Sequence, residues 1–156
     1  MTKKDKISLI KRFLKPPLKI SYFLFGPRGT GKTRFLKTNY PNLTFIDLLD
    51  DKTFLQYSNN PEKLESIVGA LKKNDYLVID EVQKVPSLLS KVHQLMENDD
   101  FPKINYILTG SSSRKLRKSG VDLLAGRALV YQMHPFMASE LGSKFNLEKS
   151  LTEGLV

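Results

Sequence analysis

Cysteine is absent from all 156 residues, which excludes disulfides, cysteine-ligated zinc and a cysteine nucleophile and leaves the redox compartment unmarked. No apolar run approaches the ~20 residues that a membrane-spanning helix requires. The start, Met1-Thr2-Lys3-Lys4-Asp5-Lys6, resembles the charged beginning of an export signal. Ser8, Lys11, Arg12 and Lys15 interrupt the apolar stretch that should follow, so no export signal is read. His93 and His134 lack partners at metal-ligand spacing, and none of the four methionines suggests a cofactor box. Internal repeats, low-complexity tracts and an obvious interdomain linker are missing too. A soluble chain with no membrane partner is expected.

What is present suits one globular domain with a sizeable core, since 40% of the residues are hydrophobic and 10% aromatic. The net charge of +9 is uneven. Residues 1–40 carry 11 Lys/Arg against one acid, residues 41–100 carry 6 against 11, and residues 101–156 carry 8 against 4. Basic ends attract nucleic acid or anionic lipid. A lysine-rich solvated surface, together with cations that serve an anion site, accounts for the same excess. The dense cluster Arg114-Lys115-Leu116-Arg117-Lys118 reads as a solvated face.

The most informative segment is Gly26-Pro27-Arg28-Gly29-Thr30-Gly31-Lys32-Thr33, a glycine, four residues, then Gly-Lys-Thr, placed directly after an apolar run. In such a loop the glycines let backbone N–H groups turn inward around phosphate oxygens. Lys32 then neutralises the β and γ phosphates and the Thr33 hydroxyl reaches Mg²⁺. Arg28 faces either phosphate or solvent. The pattern predicts a nucleoside triphosphate as ligand, and nucleotide chemistry places the chain in the cytoplasm.

Around this loop, strands and helices alternate. Ile7, Ile10, Phe13 and Leu14 recur at helical spacing, predicting a short basic amphipathic helix over 4–15, ended by Pro16-Pro17 and packed on the domain or lying on a membrane surface. Strands are expected over 20–25, 43–46, 76–79, 104–108 and 128–133. Helices are expected over 32–38, 48–57, 61–72 (with Asn60 as cap) and 86–97, the last from Leu88, Leu89, Val92, Leu95 and Met96. Alternation of this kind implies an α/β fold with a parallel sheet covered on both faces.

Tyr76-Leu77-Val78-Ile79-Asp80-Glu81 is an apolar strand that delivers two carboxylates at its C-terminal end, where α/β sheets place their ligands. Asp80 suits a water-mediated hold on Mg²⁺, a hard cation that prefers oxygen. Glu81 is placed to activate the attacking water as general base. The strand at 43–47 between the loop and this motif fits nucleotidases with an extra strand wedged between the two motif strands. No Asn-Lys-x-Asp base reader is present, which favours ATP over GTP. At the end of the fourth strand, Thr109 or Ser111 could sense the γ-phosphate by hydrogen bond. Arg127, on a short loop before the fifth strand, either meets developing phosphate charge, in cis or in a neighbouring subunit, or forms an ordinary salt bridge.

Four segments in order carry a resemblance to a known family: Gly-Pro-Arg-x-x-Gly-Lys-Thr at 26–33, Ile-Asp-Glu-Val-Gln-Lys-Val-Pro at 79–86, Leu-Thr-Gly-Ser-Ser at 108–112 and Leu-Leu-Ala-Gly-Arg-Ala at 123–128. Together they resemble the prokaryotic AAA-type P-loop ATPases, in the archaeal STAND-like branch whose ATPase core precedes a C-terminal domain of unknown function. Pro135-Phe136 to Glu140-Leu141 is similar to that family's segment after the last strand. The resemblance implies a five-stranded parallel sheet in order 5-1-4-3-2 with Mg²⁺ and ATP at the strand tips. It makes Lys32 and Thr33 the phosphate and metal residues, Asp80 the metal residue, Glu81 the water activator, Thr109 the sensor and Arg127 a candidate finger.

The expected organisation is an ATPase core over 1–142, with residues 143–156 as the start of a further domain that is absent. The expected function is an ATP-binding, Mg²⁺-dependent ATPase that acts as switch or motor for an unidentified protein partner or for the missing domain. Nucleic acid and a second copy of the chain are further candidate partners. The rival readings are a nucleotide-dependent nucleic-acid-binding module and a non-hydrolysing nucleotide-binding scaffold. A small-molecule kinase would need an acceptor site that the sequence does not show.

Overall fold

Tyr22–Phe25, four residues with no appreciable exposure, form β1. Their alternate side chains enter two different cores. Tyr22 and Leu24 pack with Phe35, Leu36 and Met133, whereas Phe23 and Phe25 pack with Leu77, Ile79, Leu88 and Leu108. A strand buried on both faces belongs inside a parallel sheet with a layer on either side. The structure is a computed structural model and describes residues 10–16, 19–40, 43–111, 124–148 and 152.

After β1 come α1 (Lys32–Asn39), β2 (Thr44–Asp47), α2 (Asp51–Asn59), α3 (Lys63–Gly69), β3 (Tyr76–Asp80), α4 (Ser87–Glu97), β4 (Asn105–Gly110), β5 (Leu129–Gln132) and the short α5 (Ala138–Leu141). The sheet order is β2-β3-β4-β1-β5 and every pairing is parallel. This is the expected order 5-1-4-3-2 read from the other edge. All five strand tips therefore point the same way, and the loops that follow β1, β3 and β4 meet there.

The helices follow their apolar spacing. α4 buries Leu88, Leu89, Val92 and Leu95, with Met96 at the margin. Its buried Lys91 reaches Glu62 and Glu65 at the start of α3. Asp50 caps α2 by accepting the Thr53 N–H at 2.8 Å, which delays that helix to Asp51. α3 begins at Lys63 instead of behind an Asn60 cap, because Asn60 and Pro61 form a preceding turn that accepts the Lys63 and Leu64 N–H groups.

The segment before β1 departs from expectation. Residues 10–16 contain no helix, which corrects the described part of the helix expected over 4–15, while residues 4–9 lie outside the described residues. Their burial alternates: Arg12 and Leu14 turn inward, and Lys11, Phe13 and Lys15 are exposed. That period of two belongs to extended chain. The Phe13 N–H bonds Glu140 at 2.8 Å, a tertiary partner in place of a helical carbonyl, and prolines at 16 and 17 disfavour helix immediately before them.

Candidate nucleotide site

The phosphate loop leaves β1 between two neighbours. The Gly26 N–H bonds the Gly110 carbonyl at 3.2 Å, and the Met133 N–H bonds the Phe25 carbonyl at 2.6 Å. A Cβ on Gly26 would lie 2.2 Å from the Met133 carbonyl oxygen, so only glycine allows this close approach. Pro27, Arg28 and Gly29 stay exposed in the turn. Thr30 is buried and its hydroxyl bonds the Pro27 carbonyl at 2.9 Å. Gly31, at φ 82°, is the N-cap of α1, and no side chain caps that helix end. A helix N-terminus left without a side-chain cap, behind a glycine loop, presents N–H groups to an anion.

Lys32 is buried and turned back into the loop, where its ammonium donates to the carbonyls of Gly26 at 2.8 Å and Pro27 at 3.1 Å. Burial pulls its pKa below the ordinary lysine value, opposed by the negative charges of Glu81 and Asp80. Such an ammonium gains from an anion that replaces the carbonyls.

Opposite the loop, Asp80 ends β3 with both carboxylate oxygens engaged. The Thr33 hydroxyl donates to Oδ2 at 2.9 Å and the Thr109 hydroxyl donates to Oδ1. Thr109 also accepts the Glu81 N–H at 3.1 Å. Thr33, Asp80, Thr109 and Glu81 therefore form one connected chain of hydrogen bonds from α1 through β3 and β4. Among the described residues no group of three or more His, Cys, Asp or Glu could hold a metal on its own. A hydroxyl and one carboxylate side by side do fit Mg²⁺, which takes few protein oxygens and keeps water and phosphate as its other ligands.

Glu81 adopts φ 57°, ψ 45°, a left-handed conformation uncommon outside glycine and a mark of local strain. It turns the chain sharply at the strand tip. Its carboxylate accepts from Gln83 Nε2, which also reaches the Ser111 hydroxyl at 3.3 Å. A carboxylate can only accept, so this contact fixes the carboxamide's orientation and leaves Gln83 Oε1 buried without a partner. Gln83 was visible in the sequence, inside Ile-Asp-Glu-Val-Gln, but nothing in its spacing gave it a role. The structure brings Ser111 to this group; Ser112 and Ser113 and the Arg114–Lys118 cluster lie outside the described residues.

Arg127 is not brought to this site. It precedes Leu129, which pairs with Tyr22 at the start of β1, whereas the phosphate loop follows Phe25 at the other end. Its Nε bonds Glu97 at 2.7 Å and holds that carboxyl below its ordinary pKa. A finger acting on the nucleotide of its own chain is thereby corrected, because the length of the sheet separates the two.

Beside the loop lies a cavity of about 340 Å³, a size that admits a small ligand. Thr30 and Gly31 of the loop, Phe35 of α1, Met133 and Phe136 after β5, and Leu14 before β1 all line it. The sequence showed no such pocket, because its walls come from chain segments about 120 residues apart.

A family model described as AAA domain matches residues 19–142. No curated protein matches the sequence. Solved structures of similar fold include Thermotoga maritima RuvB, a Holliday junction branch migration motor, at 17% identity and TM-score 0.60, covering 86% of this chain and 44% of that one. Aeropyrum pernix ORC2, in ADPNP and ADP complexes, is 14% identical with TM-score 0.56 over 81% of this chain and 45% of that one. Cdc6p from Pyrobaculum aerophilum is 18% identical with TM-score 0.53 over 78% and 40%. At these identities the likeness is one of fold, and the chain spans less than half the length of each.

Proposed function

Since the chain belongs to the AAA domain family, we propose that it is a Mg²⁺-dependent ATPase that works as a switch or motor for a partner outside the described fold. The observation that carries this reading is the hydrogen-bonded chain from Thr33 through Asp80 and Thr109 to the backbone N–H of Glu81, which joins the phosphate loop to the tip of β3 that bears the two carboxylates. The lined cavity beside Thr30 and Gly31 supplies space for the nucleoside. The adenine nucleotides in the Aeropyrum pernix ORC2 complexes favour ATP.

In this reading Lys32 exchanges the Gly26 and Pro27 carbonyls for β- and γ-phosphate oxygens, and the N–H groups at the start of α1 complete the cradle. Thr33 and Asp80 would hold Mg²⁺, which when bound neutralises charge on the β- and γ-phosphates. Thr109 keeps Asp80 oriented from the neighbouring strand. Glu81 takes a proton from the attacking water, and its backbone bond to Thr109 links that base to the γ-phosphate side. Arg127 acts, if anywhere, on the nucleotide of a neighbouring copy. No helix among the described residues is long and apolar enough to cross a membrane; the cytoplasmic assignment rests on the nucleotide.

Turnover of ATP against GTP by the purified chain, with and without Mg²⁺, tests the reading. Faster Mg²⁺-dependent release of phosphate from ATP is expected. Tight Mg²⁺–ATP binding without turnover would replace the enzyme by a nucleotide-binding scaffold. The basic excess over residues 1–40 and the Holliday junction branch migration motor among the neighbours favour nucleic acid as a second ligand. A salt-dependent shift of DNA is the expected sign, and no shift at low salt removes that reading.

A further inference from the structure

The segment before β1 and the segment after β5 are joined by one compact set of polar contacts. Arg12 donates from its guanidinium to the His134 carbonyl and lies 4.2 Å from the centre of the Phe136 ring. Its Nε is 3.5 Å from Glu140 Oε1. Glu140 in turn accepts the Phe13 N–H at 2.8 Å and the Met137 N–H at 3.1 Å. The two side chains are only 8% and 3% exposed.

Burying a charged pair at the margin of a small domain costs desolvation that an apolar pair would not incur. Part of that cost stays uncompensated here, since Arg12 Nε and Nη1 are buried without a hydrogen-bond partner. What the pair does achieve is directional: it fixes one segment against the other. Those two segments furnish facing walls of the cavity beside the phosphate loop, Ile10 and Leu14 from one, Met133 and Phe136 from the other. Neither wall belongs to a regular element that would hold it in place.

We propose that Arg12 and Glu140 form a latch that positions the two walls of the nucleoside pocket, so that affinity for the nucleoside, and not for the triphosphate, depends on the pair. This rests on the nucleotide-site reading above. Glu140 is a positioning residue, setting the spacing between walls that touch the ligand, and Arg12, which itself lines the cavity, is both part of one wall and its tether to the other. By linkage, a nucleoside that needs the closed latch also orders residues 134–141, and so occupancy is transmitted to the chain beyond β5.

The test compares Mg²⁺–ATP with Mg²⁺–tripolyphosphate by calorimetry on the full chain, because the second ligand occupies the phosphate loop without entering the nucleoside pocket. Glu140→Ala and Arg12→Ala should each weaken ATP by about tenfold or more while leaving tripolyphosphate within about twofold. The double variant should be little weaker than the worse single variant, as for residues that act as one unit. ATP, but not tripolyphosphate, should slow hydrogen exchange over residues 10–16 and 134–141 in the parent. If Glu140→Ala unfolds, Glu140→Gln carries the test, and it must show the same selective loss in smaller degree. Equal loss of both ligands in a folded variant, or unchanged ATP affinity in both single variants, overturns the latch. A parent that binds tripolyphosphate as tightly as ATP overturns it too and leaves the phosphate loop standing. A parent that binds neither ligand overturns the nucleotide reading itself.

Discussion

Thr33 and Asp80, 47 residues apart, meet at 2.9 Å where α1 begins and β3 ends. The bond joins the two residues expected to hold the metal. Asp80→Asn keeps the shape and the contact to Thr109 but removes the charge that a divalent cation needs. The Mg²⁺-induced rise in ATP affinity should be at least about tenfold smaller in the variant than in the parent. A parent-like Mg²⁺ response in calorimetry would separate Asp80 from the metal.

Glu81→Gln should preserve Mg²⁺–ATP binding and lower turnover by about 10²-fold or more, because an amide cannot take a proton from water. Gln83→Ala should lower kcat with KM little changed, since Gln83 holds the Glu81 carboxylate and touches no part of the phosphate loop. In a Glu81→Gln background the Gln83 substitution should then add nothing. A further drop in that background would show that Gln83 acts through something other than Glu81.

Gly26→Ala should destabilise the fold by about 1–3 kcal/mol, the range for an overpacked position. The obstacle is the Met133 carbonyl oxygen, 2.2 Å from the new carbon, and a backbone atom cannot step aside as a side chain can. Urea unfolding monitored by circular dichroism reads the change. A midpoint equal to the parent's would mean that the segment after β5 yields freely.

Most of the sheet was legible because its strands are apolar on both faces: Tyr22–Phe25 and Leu77–Ile79 cannot be read as anything exposed. The loop and the Asp80-Glu81 pair were legible because their chemistry is local in sequence. What was hidden depends on partners far along the chain. Phe13 completes a helical pattern on paper, yet in the fold it is 57% exposed and its N–H belongs to Glu140. Glu140 was noted only as part of a resemblance. The sequence left Arg127 open between a phosphate contact and an ordinary salt bridge, and only the parallel register of β5 on β1 puts it at the far end of the sheet.

The Lys91 cluster gives the fold a pH signature that is independent of nucleotide. Burial works against the Lys91 ammonium, but the hydrogen bonds it donates to the Glu62 and Glu65 carboxylates outweigh it and raise the lysine above its ordinary value; accepting from Lys91 lowers Glu65. A lowered carboxyl stabilises the fold above its unfolded pKa, and this is lost as pH falls through the folded value. A raised lysine stabilises the fold below its unfolded pKa, and this is lost as pH rises through the folded value. Lys91→Met should therefore be less stable than the parent at neutral pH, with the gap narrowing under acid. Thermal melts at neutral and acid pH check this, and a gap that widens on acidification contradicts the assignment.

Arg127 presents the sharpest choice between structure and chemistry. Its bond to Glu97 and its place at the start of β5 leave it out of reach of its own phosphate loop, so any catalytic role has to be played on another copy. A finger of that kind stabilises charge on the transferring phosphoryl group and nothing in the ground state. Arg127→Ala should then keep ATP affinity within about twofold of the parent and lower turnover by about 10³-fold, and turnover in the parent should rise with protein concentration. Lys32→Ala should lose triphosphate binding while keeping its arginine. Mixing the two inactive variants pairs an intact loop on one chain with an intact arginine on another, and part of the activity should return. If the mixture stays inactive and parent turnover per chain is independent of concentration, Arg127 is a structural partner of Glu97, and Glu97→Gln should destabilise the fold as much as Arg127→Ala does.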